Sequence, residues 1–306
     1  MLKRLISRSF WILSEHSLLL QNRFQGLGLR GKPEWVKGRR SCLRLPNERT
    51  LLLAYPEQNY MTFALHWIGL SYHEPITTLL FFELLKKSKV FFDIGANVGY
   101  FSLIAAMYHP KLQVTSFEPN PKLNRILTEN VAINNLSIKV ESMAVSNCAK
   151  EQPLFIAHSD MSASLEPDFR ETASEVIVES ISLDQYAGKR LPDNGVLIKI
   201  DVEGHESQVI QGSADIISRY HPDFVVEVID SDETNNILTD NDYSFYEIGR
   251  TGLSEARPNT EIRGDKKYAN FFATTMDPRA VSKLNDRLRK CISCLTEKRL
   301  DEVSCY

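Results

Sequence analysis

Cysteine is scarce in this chain, with 5 in 306 residues. The number is odd and the positions are scattered, which fits a reducing compartment better than a disulfide framework. Apolar residues never continue for the ~20 positions that a membrane-spanning helix needs. A dominant charge is missing too: 36 Lys and Arg stand against 39 Asp and Glu, the net charge is −3, and no basic run interleaved with aromatics marks a nucleic-acid partner. No segment repeats, so a solenoid is excluded. What remains is ordinary globular composition, 43% hydrophobic and 25% charged, enough to bury a substantial core in one large domain or two small ones.

The N-terminus lacks a proper secretory signal. Lys3, Arg4 and Arg8 precede Phe10-Trp11-Ile12-Leu13, but Ser14, Glu15 and His16 interrupt the apolar run and no small-residue cleavage site follows. Leu2, Leu5, Ile6, Phe10 and Leu13 fall near one helical face, with the basic residues opposite or flanking. Packing against the domain is the plainer expectation; a basic amphipathic helix on an anionic membrane surface is the sharper one. A cytoplasmic location follows, with peripheral membrane contact as the open alternative. Cys291 and Cys294 form the only Cys-x-x-Cys, without the second pair that structural zinc requires, and are expected to share a packing face.

The informative stretch is Val90 to Tyr100, an apolar strand ending in an acid, Asp93, and then a glycine-bearing turn, Gly95-Ala96-Asn97-Val98-Gly99. Gly95 and Gly99 permit backbone angles and close approaches that a β-carbon would block, and a helix starting near Tyr100 offers unpaired N–H groups. A dinucleotide fingerprint needs Gly-x-Gly-x-x-Gly, and Asn97 stands where its second glycine would be, so a pyrophosphate has no close berth. Glu118 ends the next apolar stretch about twenty residues downstream, where a ribose-binding acid is expected. Together the two elements favour S-adenosylmethionine, a nucleoside without phosphates. An ordinary tight turn with a surface glutamate is the plainer alternative. Glu118 is read as an exposed strand-end acid whose loss weakens cofactor binding without costing much stability.

These residues resemble a known family. Asp93-Ile94-Gly95-Ala96-Asn97-Val98-Gly99, Phe117-Glu118-Pro119-Asn120-Pro121, Ser182-Leu183-Asp184 and above all Ile198-Lys199-Ile200-Asp201-Val202-Glu203-Gly204-His205-Glu206 are similar to the FkbM family of S-adenosylmethionine-dependent methyltransferases, over about Glu74 to Thr275. The resemblance implies a class I, Rossmann-like, three-layer α/β fold with a mostly parallel seven-stranded sheet and an antiparallel last strand. It implies cofactor contacts at Asp93, Gly95, Ala96, Asn97, Gly99, Glu118 and Ala144. It also implies O-methylation of a hydroxyl on a sugar, glycan or secondary metabolite, with no nucleic-acid partner. Nothing in the sequence indicates an oligomeric state.

Methyl transfer from a sulfonium chiefly requires alignment, and a hydroxyl acceptor also benefits from a general base. In open α/β sheets that chemistry lies beyond the carboxyl ends of the strands, where the Val196 to Ile200 strand leads into Asp201, Glu203 and His205. Asp201 is the first candidate base or orienting group and His205 the second, with Glu203 beside them. Asp201, Glu203 and Glu206 also suit a helix start, where carboxylates cap N–H groups. Lys199, in a strand buried on both faces, is expected in an ion pair. Glu227 and Asn270 are further candidates to face the acceptor. A divalent metal on Asp201 and Glu227 is conceivable, but no dedicated ligand cluster exists and none is expected.

Alternating strand and helix patterns argue a parallel sheet covered by helices. Strands are predicted at 50–55, 138–143, 152–157, 176–180, 196–200 and 224–228, with a closing pair at 243–248 and 269–274. A Ser-rich loop, 159–164, is expected to cover the acceptor, and a long polar loop is expected from Gly249 to Lys267. Residues 1–73 read as a helix and irregular lobe, 74–276 as the methyltransferase domain, and 277–306 as a charged helix. Two rivals remain: a non-catalytic S-adenosylmethionine-fold binding or assembly module, and, more distantly, a nicotinamide oxidoreductase.

Overall fold

The computed structural model describes residues 40–55, 61–62, 65, 70, 73–157, 162–167, 171–188, 191–227, 232–256 and 270–297. The expected N-terminal helix and most of the loop between Gly249 and Lys267 lie outside them, as does the side chain of Cys294. A hairpin of β1 (Ser41–Arg44) and β2 (Thr50–Leu53) leads to α1 (Pro75–Leu85), β3 (Val90–Ile94), α2 (Tyr100–Tyr108), β4 (Gln113–Phe117), α3 (Pro121–Ile133) and β5 (Ile138–Glu141). Next come β6 (Ala144–Val145), β7 (Lys150–Ala157), β8 (Ala163–Ser164) and β9 (Thr172–Ile181), a small sheet of order β6-β9-β7-β8. The chain continues through α4 (Leu183–Ala187), β10 (Val196–Ile200), α5 (Glu206–Gln211), α6 (Ala214–Tyr220), β11 (Asp223–Glu227), α7 (Asp232–Thr239), β12 (Ser244–Gly249), β13 (Gly252–Ala256), β14 (Asn270–Thr274) and α8 (Pro278–Glu297).

The main sheet has the order β13-β12-β14-β11-β10-β3-β4-β5. β11, β10, β3, β4 and β5 run parallel, and β14 inserts antiparallel between β11 and β12. This is the expected class I methyltransferase arrangement with one correction: among the described residues the sheet has eight strands, not seven. The extra strand, β13, lies in what the sequence presents as polar loop. Gly252, at φ +114, turns the chain back onto β12, and Asn285 of α8 accepts from the Leu253 N–H and donates to its carbonyl, both at 2.8 Å. Side-chain pairing by a covering helix thus occupies an otherwise bare sheet edge.

Helices cover both faces. Phe91, Leu197, Val225 and Phe272 share one core with α1, α2 and α8, while Phe92, Ile198, Ile200, Phe224 and Val226 share the other with α4 to α7. β3 and β10 are buried at every position, as parallel strands between two helical layers must be. Each fully buried Leu, Ile or Phe contributes about 1.5–3 kcal/mol over leaving it in water. The β1–β2 hairpin docks through amides: Asn130 accepts from the Ala54 N–H and donates to the Val98 carbonyl, and Asn134 brackets Leu52 in the same way.

Strand alternation also sorts polar residues. Asp93 follows Phe91, Lys199 follows Leu197, Glu227 follows Val225, and Asn270 precedes Phe272, each two positions away and so on the same face. Asp93 is in register with both Ser116 and Lys199, and Glu227 with Asn270. A polar band therefore crosses the carboxyl end of the sheet beneath α1 and α2.

The turn after β3 is held by packing within the protein. A Cβ on Gly95, at φ +81, would stand 1.8 Å from the Asp201 carbonyl oxygen, and one on Gly99, at φ +90, would stand 2.3 Å from Leu127. Gly95→Ala should lower unfolding free energy by more than ~2 kcal/mol in urea denaturation, because left-handed strain adds to a backbone collision. Gly249→Ala, whose Cβ would meet nothing nearer than 3.6 Å, should change it by less than ~0.5 kcal/mol. Equal effects would refute this account of the turn.

Candidate active site

A cavity of about 460 Å³ opens at the carboxyl ends of β3, β4, β10 and β11, within the range of small-molecule sites. Gly95, Asn97, Phe117, Glu118, Pro119 and Leu123 line it from the β3 and β4 turns and α3, Asp201 and Glu227 from the ends of β10 and β11, and His73 and Glu74 from the loop before α1, while Ala144, Val145, Leu154, Ser162 to Leu165, Glu203 and His205 complete the wall. Of the residues picked out from sequence, Gly95, Asn97, Glu118, Ala144, Asp201, Glu203 and His205 line it, while Asp93, Ala96 and Gly99 do not.

Asp93 lies below the cavity floor. Its Oδ2 accepts from the backbone N–H of Ser102 at 3.0 Å and from the Ser102 hydroxyl, which also bonds Ser116. It thereby anchors the first turn of α2 and occupies one of the N–H groups that would otherwise point out of the helix. Burial pushes its carboxyl upward, opposed by Lys199 and by the Ser102 bonds.

Glu118 is not the exposed acid expected from sequence: it is 5% exposed. Its two oxygens accept from the backbone N–H groups of Asn97 at 2.7 Å and Asn120 at 2.9 Å, so it ties the β3 turn to the β4 turn. The expectation that its removal leaves stability intact is therefore corrected, since an alanine would strand two buried donors. A carboxylate has about four acceptor sites, so oxygen capacity remains for ligand hydroxyls. Burial pushes its pKa up to about 7 against the pull of those two N–H bonds.

Asp201 continues β10 into the cavity. Lys199, 3% exposed, donates to its Oδ2 at 2.8 Å and also lies over the Phe101 ring. Burial opposes ionisation of Asp201, but Lys199 and a hydrogen bond with Glu227 overcome it and hold the acid well below the usual carboxylate range. Glu227 is driven the other way, by burial and by the Asp201 charge, and carries the shared proton. Asp201 makes no helix cap; the N-cap residue His205 makes no side-chain cap bond, and Glu206 accepts from the Gly204 N–H ahead of the helix at 3.1 Å.

His205 is the N-cap residue of α5, and both ring nitrogens are engaged, Nε2 with the Ser146 hydroxyl at 2.9 Å and Nδ1 with Glu166 at 2.7 Å. Burial lowers its pKa despite Glu166. Glu203, at φ +55, accepts from the Ser162 hydroxyl through its side chain and from the Ser164 hydroxyl through its carbonyl. Within the expected Ser-rich cover, residues 159–161 lie outside the described residues, and Ser162 to Ser164 do wall the cavity.

Sequence reasoning missed His73 and Glu74, which enter from the loop before α1. The only available signal was the charged pair immediately before Pro75, and nothing in it points to the far end of the sheet. Glu74 reaches β14, where Asn270 donates to its Oε2 at 3.0 Å. Among the described residues no group of three or more His, Cys, Asp or Glu is arranged to hold a metal ion.

The FkbM methyltransferase domain family model matches residues 93–248, about half of the chain. The chain belongs to this family. It is 27% identical over 159 residues to the methyltransferase sdnD of Sordaria araneosa, covering 42% of this chain and 61% of that one. It is 28% identical over 162 residues to the 31-O-demethyl-FK506 methyltransferase FkbM of Streptomyces tacrolimicus, covering 43% and 62%. It is 26% identical over 189 residues to the hexuronic acid methyltransferase AglP of Haloferax volcanii, covering 60% and 69%. The chain thus spans about three fifths of the length of the first two relatives.

S-adenosylmethionine is the cofactor of this FkbM-family site, and the residues fit it. Glu118 offers acceptor capacity for ribose hydroxyls, the Gly95 to Asn97 turn lies beside it, and no Lys or Arg occurs among the described lining residues to neutralise a pyrophosphate. With ribose hydroxyls placed to donate to the ionised Glu118, S-adenosylhomocysteine would bind more weakly as pH falls through about 7, proton uptake by Glu118 competing against the ligand. Calorimetry at pH 6 and pH 8 should show at least a several-fold difference, lost in Glu118→Gln. A pH-independent affinity in the unaltered protein would contradict this placement of the ribose.

Proposed function

We propose that the protein transfers a methyl group from S-adenosylmethionine to a hydroxyl oxygen of a sugar, glycan or secondary metabolite. The observation that carries this reading is the pair of unlike ends in one cavity: a nucleoside-accepting turn at β3 and β4, and Asp201 with Glu227 at β10 and β11. S-adenosylmethionine supplies the methyl group on a sulfonium that needs no further activation. Asp201, kept ionised by Lys199, accepts a hydrogen bond from a hydroxyl neighbouring the one that is methylated and so orients the acceptor. Protonated Glu227 holds Asp201 in place from the neighbouring strand. His205, bound at both nitrogens, and Glu203, bound to Ser162, shape the wall of the acceptor end.

Carboxylates and serine hydroxyls on that wall suit an acceptor rich in hydroxyls, which can donate to several of them. The names of two relatives point the same way, one specifying a hexuronic acid and the other a substrate lacking a methyl on a named oxygen. In this reading residues 74–276 form the methyltransferase domain, flanked by the 1–73 lobe and the 277–306 helix.

The test is mass spectrometry of cell extracts incubated with the protein and methyl-labelled S-adenosylmethionine. The expected outcome is label in a hydroxyl-bearing product as a methyl ether. Asp201→Asn should keep cofactor affinity and lower turnover by about 10²- to 10⁴-fold. Cofactor binding without label transfer to any extract would favour a binding module, and near-normal turnover in Asp201→Asn would remove Asp201 from the reaction.

A further inference from the structure

We infer that His73 is the general base of this site, oriented by Glu74, which Asn270 in turn fixes; the inference rests on the proposed transfer to a hydroxyl. The other acid–base groups on the cavity are committed elsewhere. Asp201 is bonded to Lys199 and Glu227, His205 uses both ring nitrogens on Ser146 and Glu166, and Glu118 bridges two turns at the nucleoside end. His73 lines the acceptor end. Its Nε2 lies 3.4 Å from Oε1 of Glu74, an ion-pair contact rather than a hydrogen bond, and among the described residues no hydrogen bond holds the ring. That leaves Nδ1 to receive a proton. The contact with Glu74 is longer than a good hydrogen bond, as base–orienter pairs often are before substrate closes around them.

Three further observations show a built arrangement. Glu74 occupies the left-handed region, at φ 41 and ψ 60, immediately before Pro75, a costly conformation for a residue with a β-carbon. Its second oxygen is held by Asn270 across the sheet at 3.0 Å, so neither backbone nor side chain is free to relax. The His73 ring stands edge-on to Tyr100, centroids 5.1 Å apart, and Thr78 ties this corner together by donating to the His73 carbonyl and bonding the Tyr100 hydroxyl. Burial keeps the imidazole neutral near pH 7, with Lys199 acting in the same direction and the charges of Glu74 and Asp201 opposing.

The step balances without another reactant. The acceptor hydroxyl gives its proton to Nδ1 of His73 as its oxygen bonds the methyl carbon. The methyl–sulfur pair stays on the sulfur of the departing S-adenosylhomocysteine, and His73 leaves the step as an imidazolium paired with Glu74.

Two measurements separate this assignment from the function it rests on. Nitrogen-15 NMR of the histidine-labelled protein with saturating S-adenosylhomocysteine, assigned with His73→Gln, should show His73 neutral at pH 7 with its proton on Nε2, and Glu74→Gln should perturb that signal. A proton on Nδ1, or a doubly protonated ring, would overturn the assignment whether or not any acceptor is found. With the product labelled in extracts as the assay, His73→Gln should lower kcat by about 10²- to 10⁴-fold while S-adenosylhomocysteine affinity stays within about twofold. Asn270→Leu should lower kcat by about tenfold or more with KM nearly unchanged. Unaltered kcat in His73→Gln would refute His73 as the base and leave methyl transfer standing.

Discussion

The ammonium of Lys199 is the constraint on which the catalytic end of this molecule depends. Buried between two helical layers, it faces Asp201, Glu74 and Asp93, and their charges hold it protonated against the cost of burial. Removing one member of such a cluster leaves uncompensated charge in a poorly solvated interior, a penalty of about 3–5 kcal/mol. The same ammonium makes Asp201 a persistent carboxylate, and burial together with the Asp201 charge raises Glu227 against the direct pull of Lys199. One side chain thus sets the protonation pattern of the acceptor end.

Backbone geometry brings these groups together. Alternation along β3, β10, β11 and β14 places Asp93, Lys199, Glu227 and Asn270 on one face, and parallel registry aligns them across the sheet. Gly95 then lets the β3 turn press against the Asp201 carbonyl, which holds the β3 and β10 strand ends together. The glycine that marks the cofactor turn in the sequence is required first by a strand-to-strand contact. Glu118 completes the frame by bonding both turns, so the groups that would touch the ligand also hold the loops in place.

Much of this was legible in the sequence, because strand alternation, the Gly95 to Gly99 turn and the Asp201 strand end are local signals. The strands at 196–200 and 224–228 and the closing pair at 243–248 and 269–274 followed from them, whereas the strand order did not. Burial of Glu118 was not legible, since it depends on N–H groups in two separate turns. β13 was missed because Gly-Leu-Ser-Glu-Ala has no strand pattern of its own and is held by Asn285 from α8. His73 and Glu74 were missed for the same kind of reason: their partner, Asn270, is 196 residues from Glu74 in the chain. Both ring nitrogens of His205 are occupied by Ser146 and Glu166, again distant contacts that spacing within one motif does not reveal.

The most direct test of the central claim is the pH dependence of stability in Lys199→Met. In the unaltered protein Asp201 is depressed, so its stabilising contribution is present above the unfolded carboxyl pKa and lost as pH falls through the folded one. Without the ammonium its folded pKa rises above the unfolded value, and stability instead falls as pH rises from about 4. Urea unfolding should therefore show a gap of about 3–5 kcal/mol at pH 8 that narrows steadily toward pH 4. A gap that is small, or the same at both pH values, would contradict the account.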